Sequence, residues 1–314
     1  MNLIFCGTPN FAAPTLEALI AAGHRIALVV TQPDRPKGRG LELTPSPVKR
    51  AAVAHHLPID QPEKIKNNTE FRSKLEQIAP DAIIVVGYGR LIPAWMLSLP
   101  RRGNINLHAS LLPKYRGAAP IQWAIASGET VSGVTTMLLN EGLDTGDILL
   151  QQELSIAPDE NAISYGERLS AIGAELMIRT LEGLESGSIA PLCQDDARSS
   201  LAPLLKKEDG IADFTLPAQA IVNRLRGFQP WPGCNTSFRG KKLAIIHART
   251  TSVDQTKVNP GEIIANVSQL LVGCGGGLVE LLEVQPEGKR KMSAADFLRG
   301  YRLQPGEVLG DVVR

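Results

Sequence analysis

Asn106 and His108 stand two residues apart in the stretch NINLHASLLPKYRGAAP, residues 104–120. On a β-strand that spacing sends both side chains to one face. An amide can donate to an oxygen that is gaining negative charge, and an imidazole can serve as acid, base or charged donor. Two readings are open for such a pair. A buried strand is an expensive place for polar groups without partners, so both can be hydrogen-bonded members of a core. Alternatively both face a site, because the loop that follows starts at a strand's carboxyl end, where open α/β sheets bind their ligands.

A carboxylate would complete the set, and NEGLDTGDIL supplies Asp144 and Asp147 in a turn flanked by Gly142 and Gly146. Asp before Thr-Gly is also ordinary turn chemistry, so either residue can simply cap the turn. If Asp144 met His108, it would orient the ring and favour its charged form. No serine or cysteine sits in a nucleophile-elbow pattern. Amide, imidazole and carboxylate at neighbouring strand ends therefore suit direct acyl transfer between two bound substrates, without a covalent enzyme intermediate.

The elements that must position these residues follow an α/β pattern. NLIFCG ends at a glycine and leads into the helix TPNFAAPTLEALIAAG, and RIALVV reads as the next buried strand. The pattern continues through the helix VKRAAVAHH, the strand LPID, the helix TEFRSKLEQIAP and the apolar strand DAIIVVGYG. A short helix PAWMLSL, the strand NINLHAS, the helix APIQWAIASGE and the strand VSGVTTMLL complete it. Continuous Val and Ile runs bounded by glycine are what central parallel strands look like, so the first part reads as an α/β, doubly wound, Rossmann-like sheet. The Gly7-Thr8-Pro9 turn matches neither phosphate-loop pattern and is read as a tight strand-to-helix connection.

After Gly187 the texture changes. Residues 190–208 show little periodicity and read as a linker between a first domain, 1–189, and a second, 209–314. The second opens with the helix PAQAIVNRLRGF. The short β-like runs CNTSFRG, KLAIIHA, GEIIAN, QLLVGCG and GLVELLEVQP follow, then the helix KMSAADFLRG. That spacing predicts a smaller C-terminal β-barrel of the OB-like kind. Trp231, Phe238 and Phe228 are expected to pack near the linker.

Composition excludes several function classes. With 43% hydrophobic and 21% charged residues the chain is ordinarily globular. No run approaches a membrane span, and MNLIFCGTPNF lacks the layout of a signal peptide. The four cysteines are scattered with no CxxC pair, so neither a zinc knuckle nor a redox dithiol is expected. Reduced thiols in a cytoplasmic protein are the simplest expectation. Residues 1–208 carry 20 Lys and Arg against 22 Asp and Glu, and residues 209–314 carry 13 against 10. The C-terminal part, 209–314, is thus the better face for a polyanion.

The blocks Asn106-x-His108, SLLPKYRG at 110–117 and LDTGD at 143–147 resemble the folate-dependent formyltransferases. FCGTPNFA, TQPDRPKGRG, SPVK, GAAPIQ and RGFQPWPG extend the resemblance, in order, across both domains to the tRNA-acting members. The resemblance implies 10-formyltetrahydrofolate as formyl donor and the α-amino group of methionine on initiator tRNA as acceptor, with no metal. It implies Asn106, His108 and Asp144 as the catalytic trio, and Ser110, Leu111, Leu112 and Pro113 as the tetrahydrofolate-binding segment. Tyr88 and Gly89 would border the pterin pocket. The prolines and glycines of residues 32–47 argue against regular structure there, and this loop would meet the tRNA acceptor end through Arg35, Lys37 and above all Arg39, since Arg and Lys contact phosphates. Lys206, Lys207, Lys241 and Lys242 are further tRNA candidates, with solvated surface as the alternative. A monomer is expected, because a tRNA must cover much of the surface.

Overall fold

The apolar opening run becomes β1 (Asn2–Gly7), buried from Leu3 to its end. α1 (Ala13–Ala21) carries the chain to β2 (Arg25–Val30), which pairs with β1 in parallel. Structure is described by a computed structural model for residues 1–37, 42–251, 258–265 and 269–310. β3 (Arg35–Lys37) and β4 (Glu42–Thr44) form a two-stranded antiparallel ribbon, a correction to the expectation of no regular structure in residues 32–47. Pro36, opposite Leu43, is tolerated because an isolated ribbon leaves one N–H edge free. Arg39 lies outside the described residues.

Helix α2 (Pro47–Ala54) starts where Ser46 Oγ accepts from the Lys49 amide at 3.0 Å, an N-cap with proline at the first turn. β5 (Ile59–Asp60) pairs with β2, and α3 (Thr69–Ile78) is capped by Asn68, whose side chain accepts from the Phe71 amide at 2.9 Å. β6 (Ala82–Val86), α4 (Ala94–Leu97) and β7 (Asn104–His108) follow. Beyond α5 (Pro120–Ala126) come β8 (Val131–Leu138), β9 (Ile148–Ser155) and the long α6 (Ala162–Ser186).

The seven strands run β5-β2-β1-β6-β7-β8-β9. The order is parallel up to β7, but β8 is antiparallel to β7 and β9 antiparallel to β8. β9 and α6 have no counterpart in the sequence reading. The strand's exposed QQE weakens its apolar alternation, and the helix contains Gly166, Gly173 and Gly183. Gly173 is there for close approach: a Cβ on it would lie 2.7 Å from Leu107 Cδ2. α6 therefore covers the Leu107 face of β7, and alternation puts Asn106 and His108 on the opposite face.

The chain forms two compact units. The first comprises Met1–Pro120, Val131–Ser155 and Tyr165–Pro203, and the second Ile121–Thr130, Ile156–Ser164 and Leu204–Arg314. In the second, α7 (Ala218–Gly227) precedes β10 (Cys234–Phe238), β11 (Lys241–Thr250), β12 (Ile263–Ala265), β13 (Leu270–Cys274), β14 (Gly277–Pro286) and β15 (Met292–Ser293), with α8 (Ala294–Tyr301) last. These strands make one curled antiparallel sheet, β10-β11-β14-β13-β12, with β15 on β14. Backbone bridges from Ile211 to Asn235 and from Val308 to Glu262 occupy its outer strands, which blunts edges that would otherwise invite pairing. Phe238 packs on Phe297 and Tyr301 in this unit's own core, whereas Phe228 meets Trp123 edge-on at 5.3 Å.

Candidate active site

Three polar side chains alternate along one face of β7, and the structure gives them different tasks. Asn104 Nδ2 donates to the carbonyls of Met96 and Leu97, both at 3.0 Å, and so closes the end of α4. Asn104, outside the Asn106–His108 pair, is thus a hydrogen-bonded member of the core. Asn106, buried as well, has no side-chain hydrogen bond among the described residues. Its amide atoms are not among the buried polar atoms without a partner, so they remain reachable from outside the core. His108 Nε2 lies 2.9 Å from the Tyr115 carbonyl oxygen. A carbonyl only accepts, so this nitrogen donates.

The other ring nitrogen, Nδ1, faces Asp144 Oδ2 at 3.7 Å. The route by which Asp144 arrives differs from a carboxyl-end loop of a parallel strand. β8 runs antiparallel to β7, pairing Leu138 with Ile105 and Thr135 with His108. The loop 139–147 thus leaves β8 upstream of His108 and folds over the sheet face to reach it. Asp144 Oδ2 is fixed from behind by the Gly117 amide, which donates at 2.8 Å, and Asp144 itself is left-handed at φ +51°. Asp147 is instead part of the hairpin, its carbonyl accepting from the Leu138 amide at 2.9 Å.

Residues 110–113 are held by one hydroxyl. Thr135 Oγ1 donates to the Ser110 carbonyl at 2.7 Å and accepts from the Leu112 amide at 3.1 Å. Gln151 Nε2 reaches both Thr135 Oγ1 and the Leu112 carbonyl, at 3.0 and 2.9 Å. Ser110 Oγ donates to the Lys114 carbonyl at 2.6 Å, and the Leu112-Pro113 peptide is cis. Leu111 and Pro113 are half-buried and Leu112 packs with Met137 and Ile148.

Tyr88 has its ring in the core with Ile4, Cys6 and Leu28, and its hydroxyl has no partner among the described residues. Burial pushes the phenol well above its ordinary value. Its carbonyl accepts from Gln32 Nε2 at 3.0 Å, next to exposed Gly89. Immediately before β3, Lys49 Nζ and Gln61 Nε2 bind the two oxygens of Asp34 at 2.5 and 2.8 Å, and these contacts hold its carboxyl below the usual range. Arg35 is exposed, 3.7 Å from Glu63. Lys206, Lys207, Lys241 and Lys242 are exposed, with no ion pair among the described residues.

Sequence reasoning overlooked Thr135, Gln151, Arg116 and Gln194. The first two carry a weak signal, polar side chains in strands next to the SLLP loop. Gln194 carries none, being one amide in an aperiodic stretch. Among the described residues no group of three or more His, Cys, Asp or Glu could hold a metal ion, and no helix is long and apolar enough to cross a membrane.

Residues 1–181 match the formyl transferase family and residues 204–302 match the formyl transferase C-terminal domain. A methionyl-tRNA formyltransferase of Koribacter versatilis is 60% identical over 311 residues, covering 99% of each chain. That of Acidobacterium capsulatum is 58% identical over 311 residues, covering 99% of this chain and 100% of the relative. Among solved structures, an N-formyltransferase from Helicobacter canadensis with folinic acid and dTDP-3-aminofucose superposes at TM-score 0.66 and 19% identity. It covers 90% of this chain and 98% of its own. HypX from Aquifex aeolicus with tetrahydrofolic acid superposes at 0.62 and 18%, over 98% of this chain and 48% of that longer one. At these identities the likeness is one of fold, and the near full-length sequence identity carries the assignment: the chain belongs to the formyl transferase family, among the methionyl-tRNA formyltransferases.

Proposed function

We propose that the chain transfers the formyl group of 10-formyltetrahydrofolate to the free amino group of methionine on initiator tRNA, giving N-formylmethionyl-tRNA for translation initiation. The observation that carries this reading is the unpartnered Asn106 amide beside a His108–Asp144 pair whose outer contacts are already made. Family membership supplies the reaction, and the residue types supply a route for it.

The neutral amine attacks the formyl carbon and the carbonyl oxygen takes up negative charge. Asn106 Nδ2 and His108 Nδ1, the ring nitrogen not turned to the Tyr115 carbonyl, donate to that oxygen; losing one such donor typically raises a barrier by about 2.7–4 kcal/mol. Asp144 orients the ring at Nδ1 and, through water, takes the proton that the attacking nitrogen must lose. Nitrogen gains the carbonyl carbon as its bond to the folate nitrogen breaks, and that leaving nitrogen takes up a proton. Ser110, Leu111, Leu112 and Pro113 hold the folate, with Tyr88 and Gly89 contributing backbone at the pterin end. Thr135 and Gln151 support this fit by fixing the backbone polar groups of the segment before any ligand arrives.

In this reading residues 1–189 are the catalytic domain, 190–208 a linker and 209–314 a domain that holds tRNA. Arg35, Lys37, Arg39, Lys206, Lys207, Lys241 and Lys242 meet phosphates and position the acceptor without reading bases. The protein works as a monomer in the cytoplasm. The test is formyl transfer to methionylated initiator tRNA beside methionylated elongator tRNA, with wild type and Arg39→Ala at two salt concentrations. Initiator-selective transfer that falls with salt and with the substitution is expected. Selective transfer indifferent to Arg39 would discard the loop assignment. Folate binding without transfer to either tRNA would move the acceptor to a small amine.

A further inference from the structure

Asp144 reaches His108 on a loop whose backbone is anchored by a side chain about fifty residues later. Gln194 Nε2 donates to the Asp144 carbonyl at 2.8 Å and to the Gly146 carbonyl at 2.7 Å. Its Oε1 accepts from Arg116 Nε at 3.1 Å and Nη2 at 2.8 Å. Two carbonyls on one side and a guanidinium on the other allow only this orientation of the amide. Gln194 and Arg116 are both buried, and Arg116 Nη2 also meets exposed Asp196 at 2.8 Å.

These contacts close a ring around the carboxylate. Arg116 is followed by Gly117, whose amide holds Asp144 Oδ2, and the Arg116 backbone is paired with Ser200 and Ala202 on either side. The side chain of Asp144 is thus held through residue 117 and its main chain through residue 194, with the Arg116 side chain joining the two anchors. Asp144 sits in a left-handed conformation that a non-glycine residue leaves readily unless its surroundings impose it. Releasing the Gln194 donors frees the main chain to relax and carries the carboxylate away from Nδ1.

We infer that Gln194, locked by Arg116, is a positioning residue for formyl transfer: it sets the place of Asp144 by holding the carbonyls of residues 144 and 146. The inference rests on the catalytic role proposed above for Asp144. It also gives the segment 190–203 a task in the site and not only in joining two parts of the chain.

Gln194→Glu is the informative variant, because its carboxylate keeps an acceptor for Arg116 and turns the two carbonyl-facing donations into repulsions. Misplacing a reacting group by about 1 Å can cost about 10²-fold, so kcat should fall by about 10²-fold in Gln194→Glu. KM for methionylated initiator tRNA, KM for 10-formyltetrahydrofolate and tetrahydrofolate affinity should all stay near wild type. Arg116→Lys, which loses the forked contact, should show a smaller loss of the same kind. Asp196→Asn, which keeps an oxygen for the buried Arg116 guanidinium and removes only the charge, should lower kcat by less than Gln194→Glu does. Combining Gln194→Glu with Asp144→Asn decides the route, since residues acting through one another are not additive. The double variant should be no slower than Asp144→Asn alone. Losses that multiply, or a loss confined to KM or to folate affinity, would overturn the positioning role while leaving the site reading intact. A harmless Asp144→Asn would instead remove Asp144 from the mechanism and the inference with it.

Discussion

His108 Nδ1 and Asp144 Oδ2 face each other at 3.7 Å, each held from behind: Nε2 by the Tyr115 carbonyl and Oδ2 by the Gly117 amide. The separation is therefore imposed by backbone and not by the attraction of the pair. It is longer than a hydrogen bond, and a pair so anchored stays poised for a third participant.

Asp144→Asn keeps an oxygen for the Gly117 amide and removes the charge that faces the ring. The single-turnover rate of formyl transfer should fall by about 10²–10⁴-fold, the range for loss of a positioned acid or base. The melting temperature should barely move. A wild-type rate would exclude Asp144 from proton transfer.

Asn104 and Asn106 offer a crossed test on one strand face. Asn106→Ala releases no partner, so stability should hold while kcat falls by about 10²–10³-fold, as for an oxyanion donor. Asn104→Ala removes the side-chain donor to the Met96 and Leu97 carbonyls at the end of α4, Met96 keeping its backbone partner, and should cost about 0.5–1.5 kcal/mol of stability, with kcat retained. Urea unfolding and turnover measured on both variants would show the exchange. Equal effects on both properties would mean that Asn106 is structural too.

Thr135→Val removes one hydroxyl on which the Ser110 carbonyl, the Leu112 amide and Gln151 all depend. Leaving buried groups unsatisfied costs about 1–3 kcal/mol. Calorimetry should show a lower melting temperature, and titration with tetrahydrofolate should show weaker binding because the 110–113 segment loses its fixed shape. Unchanged affinity would separate this segment from the folate.

Thiol chemistry reads burial directly. Cys193 is exposed and should react promptly with a disulfide reagent in the native protein, whereas Cys6 and Cys234 should react only on unfolding. Burial pushes Cys234 up to about 12. A thiol whose folded pKa is raised keeps its proton longer in the folded state than in the unfolded one. Its contribution is complete below the ordinary thiol value of about 8.5 and is lost as pH rises from there towards 12. Unfolding free energy measured across that window should decline more steeply in wild type than in Cys234→Ala.

Much of this architecture is legible in the residues. Period-two and continuous apolar runs place β1, β2, β6 and β7, and the helical runs VKRAAVAHH and TEFRSKLEQIAP place α2 and α3. Asn106 and His108 share a face because strand geometry demands it, whatever surrounds the strand. β9 and α6 escape such reading, since an edge strand can be polar and glycine in a helix is explained only by the neighbour it meets, here Leu107. The β3–β4 ribbon likewise arises from pairing between two short runs, neither of which announces a strand alone.

The sequence by itself determined which side chains could do the chemistry, through their types, their spacing and the ordered blocks shared with the family. Only the tertiary structure decided how the carboxylate arrives. The antiparallel turn at β8 sends the 139–147 loop back across the sheet, and its anchors come from the Gly117 amide and from Gln194, which is 50 residues from Asp144 and 78 from the Arg116 that locks it. Contacts at such separations are fixed by strand order and chain direction. Local periodicity decays within a turn or two and holds no record of them.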